Sequence, residues 1–361
     1  LGALETLRCL SSYARSCAFP IEDEGTFESW ASNAFGSRLY EIFFKTYSEK
    51  LWGIPCSRLD SDFAAQRIKK LNLKDAVIAA VSRDRQKQHQ TLVDRFAYPS
   101  AGTGYAYEQM AENVRQRGGQ VLLERPVKTV AVRDGRVCGI ELEGGELVPG
   151  SQVISTMPLS LLVDRIEDAP QSVREAAWSL RFRSTILVYL RVESEDLFPD
   201  QWVYVHSPDL QTGRITNYRN WSQGLRHGAS GAILSMEYWT DDTAPLWREG
   251  DQALIAKASE EIRRSGLVGD SRILGGHVER IRRCYSVYKH GYRDKIGLIR
   301  DYLATIGGLQ AVGRYGSFKY NNQDHSILMG LLAAENFTHS AQHDLWAVNT
   351  DYSVYQEEAL I

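Results

Sequence analysis

The feature that most limits what this chain can fold into lies near its end. Residues 309–313 read as a strand, Gly313-Arg314-Tyr315-Gly316 as a glycine-bent loop, and Lys319-Tyr320-Asn321-Asn322-Gln323-Asp324-His325-Ser326 as a cluster of capping residues before an apolar helical run at 327–334. Small residues in that run (Gly330, Ala333, Ala334) let the helix pack close to a sheet. A strand that turns through glycine into a capped helix directs unpaired backbone N–H groups and the positive end of a helix dipole at one place, which suits an anionic or electron-rich ligand.

The rest of the chain divides by texture. Residues 1–92 read as helical: Leu4, Leu7, Leu10 and Tyr13 keep helical spacing, and Thr26 is placed to cap a helix whose Phe27, Trp30, Ala31, Ala34 and Phe35 share a face. A further helical run with Leu39, Ile42 and Phe43 ends near Trp52-Gly53-Ile54-Pro55, where proline stops it. A turn-rich loop at 98–104 leads into a helix over about 105–117, which Gly118-Gly119 ends. Short strands are expected at 121–123, 127–132 and 137–142, with Asp134-Gly135 as a hairpin turn, and a buried strand at 153–157 closes on Pro158. Longer β runs at 184–192, 202–206, 214–221, 232–239 and 277–288, with one helix at 252–265, predict an antiparallel sheet with one face covered.

Bulk properties narrow the function. A chain of 361 residues has room for two or three domains. A net charge of −3 gives no electrostatic reason to expect nucleic acid, and no apolar run approaches the roughly 20 residues of a membrane span. The five cysteines (Cys9, Cys17, Cys56, Cys138, Cys284) are scattered without a Cys-x-x-Cys, which argues for a reducing, cytoplasmic compartment and against a disulfide framework or zinc site. His339 and His343 have helical spacing but no third ligand, so a solvated helix face is expected there and no metal. No Gly-x-Ser-x-Gly elbow is present for acyl chemistry.

Taken in order, these pieces resemble the FAD-dependent superfamily of amine oxidases, protoporphyrinogen oxidases and UDP-galactopyranose mutases. Gly118-Gly119-Gln120-Val121-Leu122-Leu123 is similar to the glycine segment that opens the β-meander of its FAD domain, and Ser155-Thr156-Met157-Pro158 to the stretch that returns to the cofactor. The resemblance implies an α/β fold (α+β overall): a partial Rossmann-like FAD-binding domain, a helical domain and an antiparallel-sheet substrate domain. The boundaries expected are 1–92 helical, 93–160 first part of the FAD domain, 161–290 substrate domain and 291–361 second part of the FAD domain. It implies FAD contacts at Val127, Thr156, Gly313, Arg314, Asn322, Gln323, Asp324 and Ser326.

Four local matches resemble the mutase branch and imply substrate contacts at Trp52, Arg214, Tyr285 and Tyr320: the segment Phe43 to Trp52, the run Arg214-Ile215-Thr216-Asn217-Tyr218-Arg219-Asn220-Trp221, Tyr285 after Cys284, and Tyr320 in the closing motif. A guanidinium fork and phenol donors suit a diphosphate, so a small anionic or nucleotide-sugar substrate is expected. Asn321-Asn322-Gln323-Asp324-His325 instead resembles oxidase-like relatives, and no proton-transfer residue stands out. Gly-x-Gly-x-x-Gly, the usual pyrophosphate cradle, does not occur, and the chain opens Leu1-Gly2-Ala3 without methionine. Three readings follow: a FAD-dependent oxidoreductase, a flavin-using mutase-like isomerase, and a truncated or cofactor-free chain. Weak or absent FAD binding and association through an exposed sheet edge are expected from the missing motif.

Overall fold

The computed structural model describes residues 2–62, 98–226, 230–339 and 341–349; the helical reading of 63–92 lies outside the described residues. Ten strands run through them: β1 Val127–Arg133, β2 Arg136–Leu142, β3 Leu147–Pro149, β4 Val153–Ser155, β5 Arg181–Val192, β6 Trp202–Tyr204, β7 Arg214–Asn217, β8 Ala232–Thr240, β9 Ile273–Val287 and β10 Leu309–Ala311. The chain separates into two compact units, Leu1–Val121 with Arg183–Arg282, and Leu122–Phe182 with Arg283–Ile361.

In the first unit, Thr26 caps the Phe27–Phe35 helix by a reciprocal box with Ser29, and Phe27, Ala31 and Phe35 turn inward at the predicted spacing. The following run is a π-helix at Tyr40–Lys45 and an α-helix at Thr46–Trp52; Gly53, in a left-handed conformation, ends it by donating its N–H to Glu49. The five-stranded sheet has the order β6-β7-β8-β5-β9, with β6-β7, β7-β8 and β8-β5 antiparallel. Alternate residues Ile186, Val188 and Leu190 of β5 pack with Ile215, Leu234 and Met236, and with Leu254, Ala258 and Ile262 of the Asp251–Arg264 helix. Burying each such Leu or Ile side chain contributes about 1.5–3 kcal/mol, so this cluster anchors the sheet. The strand expected at 214–221 stops at Asn217. Its side-chain oxygen accepts from the Arg219 N–H and bends the chain into a 3₁₀ turn, Tyr218–Asn220.

In the second unit, β1-β2-β3 form an antiparallel meander, and Asp134 (φ 51°) with Gly135 (φ 71°) makes the expected tight turn. β4 and β10 pair in parallel, Val153 with Leu309, Ile154 with Gln310 and Ser155 with Ala311. Helices Leu159–Asp164, Gln171–Ser179, Tyr292–Ala304 and Gln323–Thr338 accompany them. Three expectations are corrected. Residues 121–123 form no strand, and Leu122 and Leu123 are exposed, because a β-prone sequence without a neighbour to pair with gains no ladder. Ile154 of β4 is 40% exposed, not buried. The strand at 309–313 ends at Ala311, and Gly313–Gly316 forms a single helical turn where a loop was expected.

Candidate functional site

The parallel pair ends where the closing motif begins. Val312 donates its N–H to the Ser155 carbonyl at 2.9 Å, which lays the Gly313–Gly316 turn against the carboxyl end of β4. A side chain at Gly316 could not fit, since its Cβ would lie 2.9 Å from the Ser155 oxygen. Gly313 is the opposite case. It is buried with φ +80°, yet a Cβ built there meets nothing within 4 Å, so open space adjoins buried backbone. Ser317 Oγ holds this turn by donating to the Gly313 carbonyl at 2.7 Å. The Ser155 hydroxyl is buried and has no hydrogen-bond partner among the described residues. Open space and an unsatisfied donor at the carboxyl ends of parallel strands are what a bound group would fill.

Arg314 organises the next layer. Its Nε donates to the Cys284 carbonyl (3.1 Å) and one Nη to the Asn321 carbonyl (2.8 Å). Its guanidinium carbon lies 5.0 Å from the Tyr285 ring centroid and 4.2 Å from that of Tyr320, and the two rings stack 5.9 Å apart. The structure thus brings Tyr285, Arg314 and Tyr320 together, with the Arg314 guanidinium against both rings. Asn322 caps the Gln323–Thr338 helix through a box with buried His325, and Ser326 Oγ donates back to the Asn322 carbonyl. Gln323 and Asp324 are exposed at the helix start, Thr156 is exposed beyond β4, and Val127 opens β1 opposite Leu142.

The first unit holds the other predicted residues. Arg214 forms an ion pair with Glu237 across β7 and β8 at 2.6 Å; Glu237 is buried, and its second oxygen accepts from Trp239 Nε1 at 2.8 Å. Register puts Thr185, Tyr189, Ser235, Glu237, Trp239 and Arg214 on the sheet face opposite the apolar core. Tyr47 stands at the edge of this face, within 5.3–5.4 Å of the rings of Tyr204, His206 and Trp239. Burial holds the His206 imidazole below its usual range, favouring the neutral ring. Trp52 is fully buried and belongs to the core of its unit. Buried Arg183, 3.0 Å from Asp241, donates to the carbonyls of Lys50, Leu51 and Trp239, locking that helix end to β8. The residues missed from sequence are Ser155, Tyr47, Glu237 and Trp239. Polar alternation along Ser235-Met236-Glu237-Tyr238-Trp239 was the available signal for the last two.

Among the described residues, no group of three or more His, Cys, Asp or Glu could hold a metal, and no helix is long and apolar enough to cross a membrane. The model of the flavin containing amine oxidoreductase family matches residues 20–275. The chain belongs to that family. Solved structures share its fold at low identity. A reduced UDP-galactopyranose mutase superposes with TM-score 0.82 at 19% identity, over 98% of this chain and 76% of the other. A protoporphyrinogen oxidase-like protein from Exiguobacterium sp. 255-15 gives 0.63 at 16%, over 87% and 68%. A putrescine oxidase gives 0.57 at 15%, over 92% and 74%. The family implies a flavin, and the open backbone at Gly313 with the unpartnered Ser155 hydroxyl fits such a group.

Proposed function

We propose that this chain is a FAD-dependent oxidoreductase acting on a small substrate of anionic or nucleotide-sugar type. The observation that carries the reading is the buried, unobstructed Gly313 turn at the carboxyl ends of the parallel pair β4 and β10. In this reading Gly313, Ser155 and the capped start of the Gln323–Thr338 helix, with Asn322, Gln323, Asp324 and Ser326, would hold the FAD, with Thr156 and the backbone of Val127 as further contacts. A flavin held there would supply two-electron redox chemistry, while the chain's own residues would bind and orient the substrate. Tyr285 and Tyr320 present phenols to the substrate and Arg314 fixes their spacing. Arg214, oriented by Glu237, supplies the cation.

Mutase-like isomerisation is the second reading, supported by the TM-score of 0.82 over 98% of the chain. Anaerobic incubation of the FAD-titrated chain with amines, polar alcohols and UDP-galactopyranose separates the two. Bleaching of the flavin absorbance by a substrate supports the oxidoreductase. Conversion of UDP-galactopyranose under dithionite with no net oxidation supports the isomerase. Under either, Arg214→Ala is expected to raise the substrate concentration needed by about 10- to 100-fold, the scale of a lost charge-assisted contact. An unchanged requirement removes Arg214 from the site.

A further inference from the structure

Residues just before the Gln323–Thr338 helix are held in a costly conformation. Phe318 is buried and left-handed, with φ 52°, which is strained for a bulky side chain and persists only where the surroundings impose it. Its neighbour Lys319 does not point to water: Nζ donates to the backbone carbonyls of Trp346 and Val348, the latter at 2.7 Å. Burial pushes the Lys319 amine down to about 8 against an opposing pull from Asp344. Asn349 Nδ2 donates to Asn321 Oδ1 at 2.9 Å, and Arg314 binds the Asn321 carbonyl from the other side. Leu345 and Val348 belong to the apolar cluster of Val312, Met329 and Ala333, so the same segment shares a core with the residue preceding Gly313. Its near end is fixed by paired bonds between Asn336 and the His343 backbone.

We propose that residues 344–349 are a strap that positions the cofactor-facing loop 318–322, and that Lys319 is the positioning residue that ties it down. The strap takes the Lys319 amine and the Asn321 side-chain oxygen, and sets where Tyr320 meets Arg314 and where Asn322 opens the helix. The role of the loop rests on the FAD reading above; the coupling of strap to loop does not.

The test compares wild type, Lys319→Met, Lys319→Arg, Leu345→Asp and the Lys319→Met/Leu345→Asp double variant, by hydrogen exchange without flavin and by FAD titration. In Lys319→Met, amides of 320–326 and of 345–349 exchange faster and FAD affinity falls, each by on the order of tenfold. Lys319→Arg, which keeps donors for two carbonyls, restores protection of both segments. The double variant is no worse than Leu345→Asp alone, because both act through the strap. Additive losses, or a Lys319→Met strap that opens while 320–326 and FAD affinity stay as in wild type, overturn the strap's role. Wild type that binds no FAD, with exchange still coupled, overturns the FAD reading and leaves the coupling standing.

Discussion

The two cations of the closing motif, Arg314 and Lys319, each find backbone carbonyls. A carbonyl left unpaired in a buried, irregular loop is costly, and a long cationic side chain satisfies two at once. Arg314 also lies against two rings, and a lysine lacks the planar face for that contact. Arg314→Lys is therefore expected to lower unfolding stability by about 1–3 kcal/mol, read from urea midpoints at unchanged slope. A shift under half that size would mean the rings hold their place unaided. Lys319 carries a pH signature. Its amine titrates near 8 when folded and at its ordinary 10.5 when unfolded, so between those values the unfolded chain binds more protons. Relative to Lys319→Met, wild-type stability should therefore rise with pH across that window, the slopes of other groups being common to both. Unfolding free energies measured from pH 7.5 to pH 10 check this, and parallel profiles would contradict it. No such lysine role was legible in sequence, because its acceptors lie more than twenty residues away on backbone that sequence leaves featureless.

At the scale of elements, local chemistry was readable and pairing was not. Thr26 was identifiable as a cap because everything it needs lies within three residues; Thr26→Ala should lose about 1 kcal/mol by chemical denaturation, and a null effect would mean the Ser29 hydroxyl alone suffices. Asp134-Gly135 was equally plain, since both residues take the left-handed conformation that this turn demands. Residues 121–123 show the limit. Their apolar, β-prone sequence is real, but a strand is defined by its neighbour, and the described residues offer none. The same limit hid the Arg214–Glu237 pair. Arg214 was expected from sequence as a substrate contact with no partner named, and only the register of β7 on β8 sets a buried carboxylate opposite it. The pair makes Arg214 an oriented, partly neutralised cation on a polar sheet face.

At the scale of the molecule, each unit has its own organisation. One builds a sheet with an apolar face on a helix and a polar face opposite; the other builds a parallel pair that ends at Gly313. The family match spans residues 20–275, so the closing motif lies beyond it, and the structure ties the motif to the matched region through the Val312–Ser155 bond. The proposed flavin site is the space beside Gly313. Its most direct measurement is an equilibrium FAD titration, by fluorescence quenching, of this chain and of Gly313→Val. The prediction is weak but saturable one-to-one binding that Gly313→Val reduces by on the order of tenfold or more, beyond any loss of folded fraction seen by circular dichroism. Binding that is unsaturable in the parent chain, or equal in the two proteins, would contradict it.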